Sequence, residues 1–290
     1  MQRLSFPQNL TRTPDRRPTR VAYALPTFFT AGNMFLGFVA VMKTFEGAMA
    51  ASGGMLGSNI HFEIAAKMIG VAVLLDGLDG RIARMTNTTS DFGREMDSLA
   101  DAITFGLAPA VLAFAWGFQY VDLSGNAFVR EHLLRVGYFL SFVFVLCGTS
   151  RLARFNVTTN PVPKNPGRAD RKYFVGLPIP AAAGLVAAIV YACDSAPVRW
   201  WPFAIAWMGL LALASFLMVC TWRYRSFKDL NLMRPRSPLF IIFAGSFIYL
   251  MWNWPQPMLL TIGVLYVGSG IAVRLGGLTR RLFGRQERPA

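Results

Sequence analysis

The sequence predicts an all-α integral membrane protein of about eight transmembrane helices. Hydrophobic residues make up 54% of the 290 positions and charged residues 15%. Mean hydropathy is +0.40, and a soluble domain of this length would carry more charge. Apolar stretches near the length of a bilayer crossing recur along the chain. Basic residues alternate from one connection to the next. The short alternating strands of a membrane barrel are missing, so helices are the element that satisfies the backbone in lipid.

The predicted spans are 22–43, 62–83, 94–118, 133–150, 176–193, 200–222, 238–253 and 256–274. Spans one, three and seven are punctuated by Pro, Gly or charge. Span two ends in an acidic motif, and span three begins with another. The segment Asn156–Tyr173 is the longest connection, and its Pro, Gly and Asn content excludes a long helix. A second basic connection, Arg223–Arg236, joins spans six and seven. The N-terminal segment is polar and Pro-containing, without the apolar stretch of a cleavable signal peptide.

A formal charge of +14 raises the question of nucleic acid. Its distribution answers it. Segments 1–21, 81–94, 151–172, 223–236 and 274–288 hold 5, 3, 6, 5 and 5 Lys or Arg. The intervening connections hold few: Lys43, Arg130, Arg135 and Arg199. This is the positive-inside pattern, and it favours anionic headgroups over a nucleic-acid partner. An even number of spans puts both termini and the acidic motif on the cytoplasmic side of the cell (inner) membrane. Cys147, Cys193 and Cys220 each fall in an apolar span without C-x-x-C spacing and read as buried packing residues.

The chemistry is concentrated in Asp76-x-x-Asp79-Gly80-x-x-Ala83-Arg84 and Gly93-x-x-x-Asp97-x-x-x-Asp101. At about 100° per residue, Asp79, Gly80 and Ala83 lie roughly 60°, 40° and 20° from Asp76, on one helical face. Gly93, Asp97 and Asp101 step by about 40° each and form a second stripe. The short link from Arg84 to Gly93 makes the two helices antiparallel neighbours, so the acidic faces meet. Four carboxylates in one place repel strongly and require a cation. Oxygen-only ligands suit Mg²⁺, Mn²⁺ or Ca²⁺ and not zinc. Two such ions sharing carboxylates would bind a pyrophosphate and stabilise a transferring phosphoryl group. Gly80, Ala83 and Gly93 leave room for a ligand at the backbone, and Arg84 is placed to contact a phosphate.

These two motifs together resemble the complete signature of the CDP-alcohol phosphotransferases. The resemblance implies an integral membrane enzyme with a six-helix core, usually a homodimer, that displaces CMP from a CDP-linked lipid or alcohol. It implies that Asp76, Asp79 and Asp97 ligate metal. Asp101 would touch the second metal and act as general base, and Gly80, Ala83, Arg84 and Gly93 would line the CDP site. Two further stretches are similar to the bacterial and archaeal phosphatidylserine synthase subgroup. One is Pro26-Thr-Phe-Phe-Thr30-Ala-Gly-Asn33-Met-Phe-Leu-Gly37. The other is Arg151-Leu-Ala-Arg154-Phe-Asn156 with Phe174-Val-Gly176-Leu-Pro178-Ile-Pro180. By that resemblance Thr30 and Asn33 help hold the nucleotide.

Arg151 and Arg154 sit where span four leaves the membrane, at the level of the carboxylates, and suit the carboxylate of an amino-acid acceptor. The expected reaction is CDP-diacylglycerol plus L-serine to phosphatidylserine plus CMP. Glycerol 3-phosphate or an inositol phosphate is the alternative acceptor, and a cation transporter the remote rival. Residues 1–21 form a cytoplasmic arm, 22–275 the membrane catalytic domain and 276–290 a basic cytoplasmic tail. Trp200, Trp201, Trp207, Trp222, Trp252 and Trp254 read as an interfacial belt. Gly268, Gly270, Gly276 and Gly277 allow close helix contact, as at a dimer seam.

Overall fold

A computed structural model describes residues 20–86, 91–123, 125–159, 173–225 and 238–283. Helices α1 (Arg20–Ser52) and α2 (Ile60–Thr86) are followed by α3 (Asp91–Asp101). A π-helical segment (Ala102–Leu107) joins α3 to α4 (Ala108–Gly117), and α5 (Ala127–Thr159) follows. Then come β1 (Tyr173–Val175), α6 (Ile179–Ala192), α7 (Trp201–Val219), β2 (Arg223–Arg225), α8 (Pro238–Asn253) and α9 (Pro255–Phe283). With α3, the π segment and α4 taken as one rod, each predicted span has its helix. The first, fourth and last are longer than predicted: α1 continues to Ser52, α5 runs from Ala127 through Asn156 to Thr159, and α9 continues to Phe283, into the predicted 276–290 tail.

Five stretches of the described residues are long and apolar enough to cross a bilayer alone: 28–52, 92–117, 127–157, 201–219 and 255–272. The protein is membrane-embedded. The 92–117 rod is central, with 61% of its apolar window buried against 11% for that of α9. Around it α1 packs on α2, α2 on α6, α5 on α7 and α6 on α9. α6 has only 14 residues, but its Ile, Val, Leu and Ala side chains are largely buried.

The pattern along α1 shows how such a helix is oriented. Phe28, Phe35, Phe38, Met42, Phe45 and Met49 are exposed and form a lipid-facing stripe. Thr30, Asn33, Ala40, Thr44 and Ala51 are buried on the opposite side. Small and polar residues let helix backbones approach inside a bilayer, where lipid is as apolar as Leu.

Trp207 is a correction to the belt reading. It is 2% exposed, stands edge-on to Trp116 at 5.1 Å, and donates from Nε1 to the Ala113 carbonyl at 3.1 Å. A Cβ on Gly117 would lie 2.2 Å from that nitrogen, so the glycine admits the indole. Trp200, Trp201, Trp252 and Trp254 are exposed as a belt requires. Of the two α9 glycines whose surroundings are described, Gly263 makes a close contact, its Cβ position 3.2 Å from Leu185 of α6, whereas the Cβ position of Gly268 meets open space.

The short antiparallel pair β1–β2, with Phe174 opposite Tyr224, was not predicted. It ties the end of the longest connection to the one after α7. Gly176 closes it with φ +78, and its N–H donates to the Trp222 carbonyl at 2.8 Å.

Candidate active site

The site lies where α2 ends and the central rod begins. α2 carries Asp76 near its final turns, and α3 carries Asp97 and Asp101 one helical turn apart. One carboxylate oxygen from each of Asp76, Asp97 and Asp101 lies within 4.8 Å of the others. Asp101 is the most enclosed, at 9% exposure, and Asp76 and Asp97 are half-buried. The predicted meeting of the two acidic stripes is therefore observed for these three. The backbone of Asp79, Gly80, Ala83 and Arg84 continues α2, but their side chains lie outside the described residues. Gly93 is half-buried in the first turns of α3.

The π segment starts directly after Asp101. Its wider turn is seen in the Ala108 N–H, which reaches back to the Ile103 carbonyl. Such segments arise where a helix is held off its regular register, often at functional sites. Here the holding contact is α1. Thr104 Oγ1 donates to the Asn33 carbonyl at 3.0 Å. A Cβ on Gly37 would fall 2.5 Å from Thr104 Oγ1 and 2.8 Å from its Cα, so only glycine permits the approach.

Asn33 is fully buried, and its side-chain Nδ2 and Oδ1 find no hydrogen-bond partner among the described residues. A buried amide in that state is costly unless a ligand satisfies it. Thr30, one turn earlier, is 7% exposed. On the other side of Asp101, α5 brings Arg151, whose Nε is buried and without a hydrogen-bond partner among the described residues. Arg151 lies within electrostatic range of Asp101 and of Tyr266 from α9. Arg154 is used differently: it donates from Nη1 to the Val219 carbonyl at 3.0 Å, at the C-terminal end of α7, where a cation is favoured.

Two residues beside the site, Asn156 and Tyr266, have no role of their own in the sequence reading. Asn156 Nδ2 donates to Ser98 Oγ at 2.9 Å, and Ser98 Oγ donates to the Arg94 carbonyl at 3.0 Å. This pins the end of α5 to the turn of α3 that carries Asp97. Asn156 stands in the stretch Arg151–Asn156 that carries the subgroup resemblance, but its partner Ser98 is 58 residues away and gave no signal. Tyr266 lies in a span with no recognisable motif and gave no signal.

The sequence model of the CDP-alcohol phosphatidyltransferase family matches residues 23–215. A CDP-diacylglycerol–serine O-phosphatidyltransferase of Helicobacter pylori is 33% identical over 270 residues, covering 93% of this chain and 99% of that protein. Its namesake in Bacillus subtilis is 29% identical over 70% of this chain and 91% of its own length. That of Saccharomyces cerevisiae is 39% identical over 57% of this chain and 52% of its own. With Asp76, Asp97 and Asp101 brought together and the family model matched over residues 23–215, this chain belongs to the CDP-alcohol phosphatidyltransferase family.

Proposed function

We propose that the chain transfers the phosphatidyl group of CDP-diacylglycerol to the hydroxyl of L-serine, giving phosphatidylserine and CMP. The observation that carries this reading is the convergence of Asp76, Asp97 and Asp101 within 4.8 Å in a membrane chain of this family. The relatives' names support serine as the acceptor.

Three carboxylates at that separation, all oxygen donors, fit a hard divalent cation. Asp76, Asp97 and Asp101 would hold it, and Asp79 would complete a set for two ions, Mg²⁺ or Mn²⁺. When bound, such ions neutralise charge on the transferring phosphoryl group and the departing CMP. The chain's own groups do the rest. Asn33 offers a donor and an acceptor to the nucleotide beside Thr30, and Gly80, Ala83, Arg84 and Gly93 line the CDP site. Arg151 pairs with the serine carboxylate. Asp101 takes the proton from the serine hydroxyl, whose oxygen bonds to the phosphorus bearing diacylglycerol as the bond to the CMP oxygen breaks.

A phosphorylated acceptor such as glycerol 3-phosphate calls for more positive charge than one amino-acid carboxylate. Arg154 also serves the Val219 carbonyl, which favours the single carboxylate. In this reading residues 22–275 form the catalytic domain of a homodimer. Both termini and the carboxylates face the cytoplasm, as the loop charges support.

Purified protein given CDP-diacylglycerol and a panel of acceptors should release CMP with serine, and at under about a tenth of that rate with glycerol 3-phosphate or an inositol phosphate. Asp101→Asn should remain folded and lose about 10³-fold in CMP release. Normal turnover by that variant would remove the base assignment, and equal turnover with all acceptors would remove serine.

A further inference from the structure

We propose that a cleft at the opposite end of the helix bundle from the carboxylates binds the phosphate of a phospholipid headgroup in the other leaflet. The cleft measures about 740 Å³ and is lined by Ser52, Tyr120, Asp122, Asn126, Arg130 and Arg199, among others. It lies between the end of α1, the α4–α5 connection and the start of α7. From Asn33 beside the carboxylates to Ser52 at the cleft, α1 rises about 28 Å at about 1.5 Å per residue. That is close to the ~30 Å thickness of the hydrocarbon layer. The two sites therefore stand at the two headgroup levels.

Its walls are fixed by hydrogen bonds. The Tyr120 hydroxyl donates to the Ala48 carbonyl and lies 3.0 Å from Ser52 Oγ. The Asp122 N–H donates to the Arg199 carbonyl at 2.8 Å. Asn126 Oδ1 accepts from the Val129 N–H at 3.2 Å and so caps α5.

Its charge is unusual for its place. The connections on this side hold few basic residues, yet Arg130 and Arg199 both line this one cleft. Arg199 reaches Asp122 at 3.4 Å, with both side chains more than half exposed. Such a surface pair contributes little and can rearrange. Arg130 forms no ion pair among the described residues. Among the described lining residues two guanidiniums and one carboxylate leave the cleft net positive, and guanidinium matches phosphate with paired hydrogen bonds. Met55 and Phe128, next in sequence to the lining residues Gly54 and Ala127, are 51% and 69% exposed. These apolar neighbours at headgroup level favour a lipid phosphate over a free anion.

The test titrates the full-length protein in detergent with dihexanoyl phosphatidylglycerol and, separately, with inorganic phosphate, reading bound ligand by native mass spectrometry. Arg130→Gln with Arg199→Gln should weaken lipid binding about tenfold or more. Arg135→Gln, a neighbouring α5 arginine paired with Glu131 instead, should change it less than about twofold. Asp122→Asn should tighten binding, a change that misfolding cannot produce. Inorganic phosphate should bind at least about tenfold more weakly than the lipid. Unchanged binding in the double variant, an equal loss in Arg135→Gln, or no gain in Asp122→Asn would overturn the site. Inorganic phosphate binding as tightly as the lipid would overturn the lipid assignment.

Discussion

Asn33 and Gly37 set the contact between α1 and the carboxylate-bearing rod, and they do so with opposite relations to stability. Gly37 leaves the space that Thr104 fills. Gly37→Ala therefore forces α1 away from the π segment against backbone as well as side chain. Overpacking of this kind costs about 1–3 kcal/mol, so the variant should melt earlier and turn over more slowly. A melting point and rate equal to wild type would mean that the approach is not required. Asn33 behaves in the other direction. Its amide is buried without a partner among the described residues, so Asn33→Leu replaces an unsatisfied group by an apolar one of similar size. The ligand-free protein should gain about 1 kcal/mol of stability, while the KM for CDP-diacylglycerol rises. A variant that loses stability, or keeps its KM, would show that the amide does not face the nucleotide.

Elements show where sequence reading succeeds and stops. Bilayer-crossing helices are legible because hydropathy is a local property of the chain, and each predicted span has its helix. The three described aspartates are legible for the same reason: i, i+4 spacing on α3 and a short link to α2 fix their faces before any packing is known. The π segment is not legible, because it records the pressure of α1 on the rod through Gly37 and Thr104, residues far apart in sequence. Trp207 differs from the belt because, two turns into α7, its indole meets the Ala113 carbonyl across the space left by Gly117, a contact that its sequence position does not reveal. The β1–β2 pair depends on partners on either side of α6 and α7, and three-residue strands carry too little pattern to announce themselves. The Asn156–Ser98 link belongs to this group of long-range contacts, and it is testable. Asn156→Ala should leave the helices intact yet loosen the turn carrying Asp97. Half-maximal activity should then need about tenfold more Mn²⁺, within the range seen when supporting groups of metal ligands are removed. An unchanged metal requirement would make the link a packing contact only.

At the scale of the whole molecule, the bundle gathers like charges from two helices into one place. Asp76 from α2 and Asp97 and Asp101 from α3 bring oxygens within 4.8 Å, and Arg151, within electrostatic range of Asp101, comes from α5. Folding therefore brings Asp76 against the Asp97–Asp101 pair, which the separated helices would keep apart from it, and mutual repulsion should make the metal-free protein less stable than its packing allows. Two measurements separate this from a merely solvated acidic patch. A ligand that binds only the folded bundle stabilises it by mass action, about 2.7 kcal/mol at 100 times its dissociation constant. Mn²⁺ should thus raise the melting midpoint of the detergent-solubilised protein by several degrees, and a chelator should reverse the rise. Asp97→Asn removes one of the repelling charges and one ligand together. Without metal it should melt above the wild type, and with Mn²⁺ its rise should be mostly lost. A wild-type midpoint indifferent to Mn²⁺, or an Asp97→Asn midpoint that follows the wild type in both conditions, would mean that these carboxylates neither strain the bundle nor gather a cation.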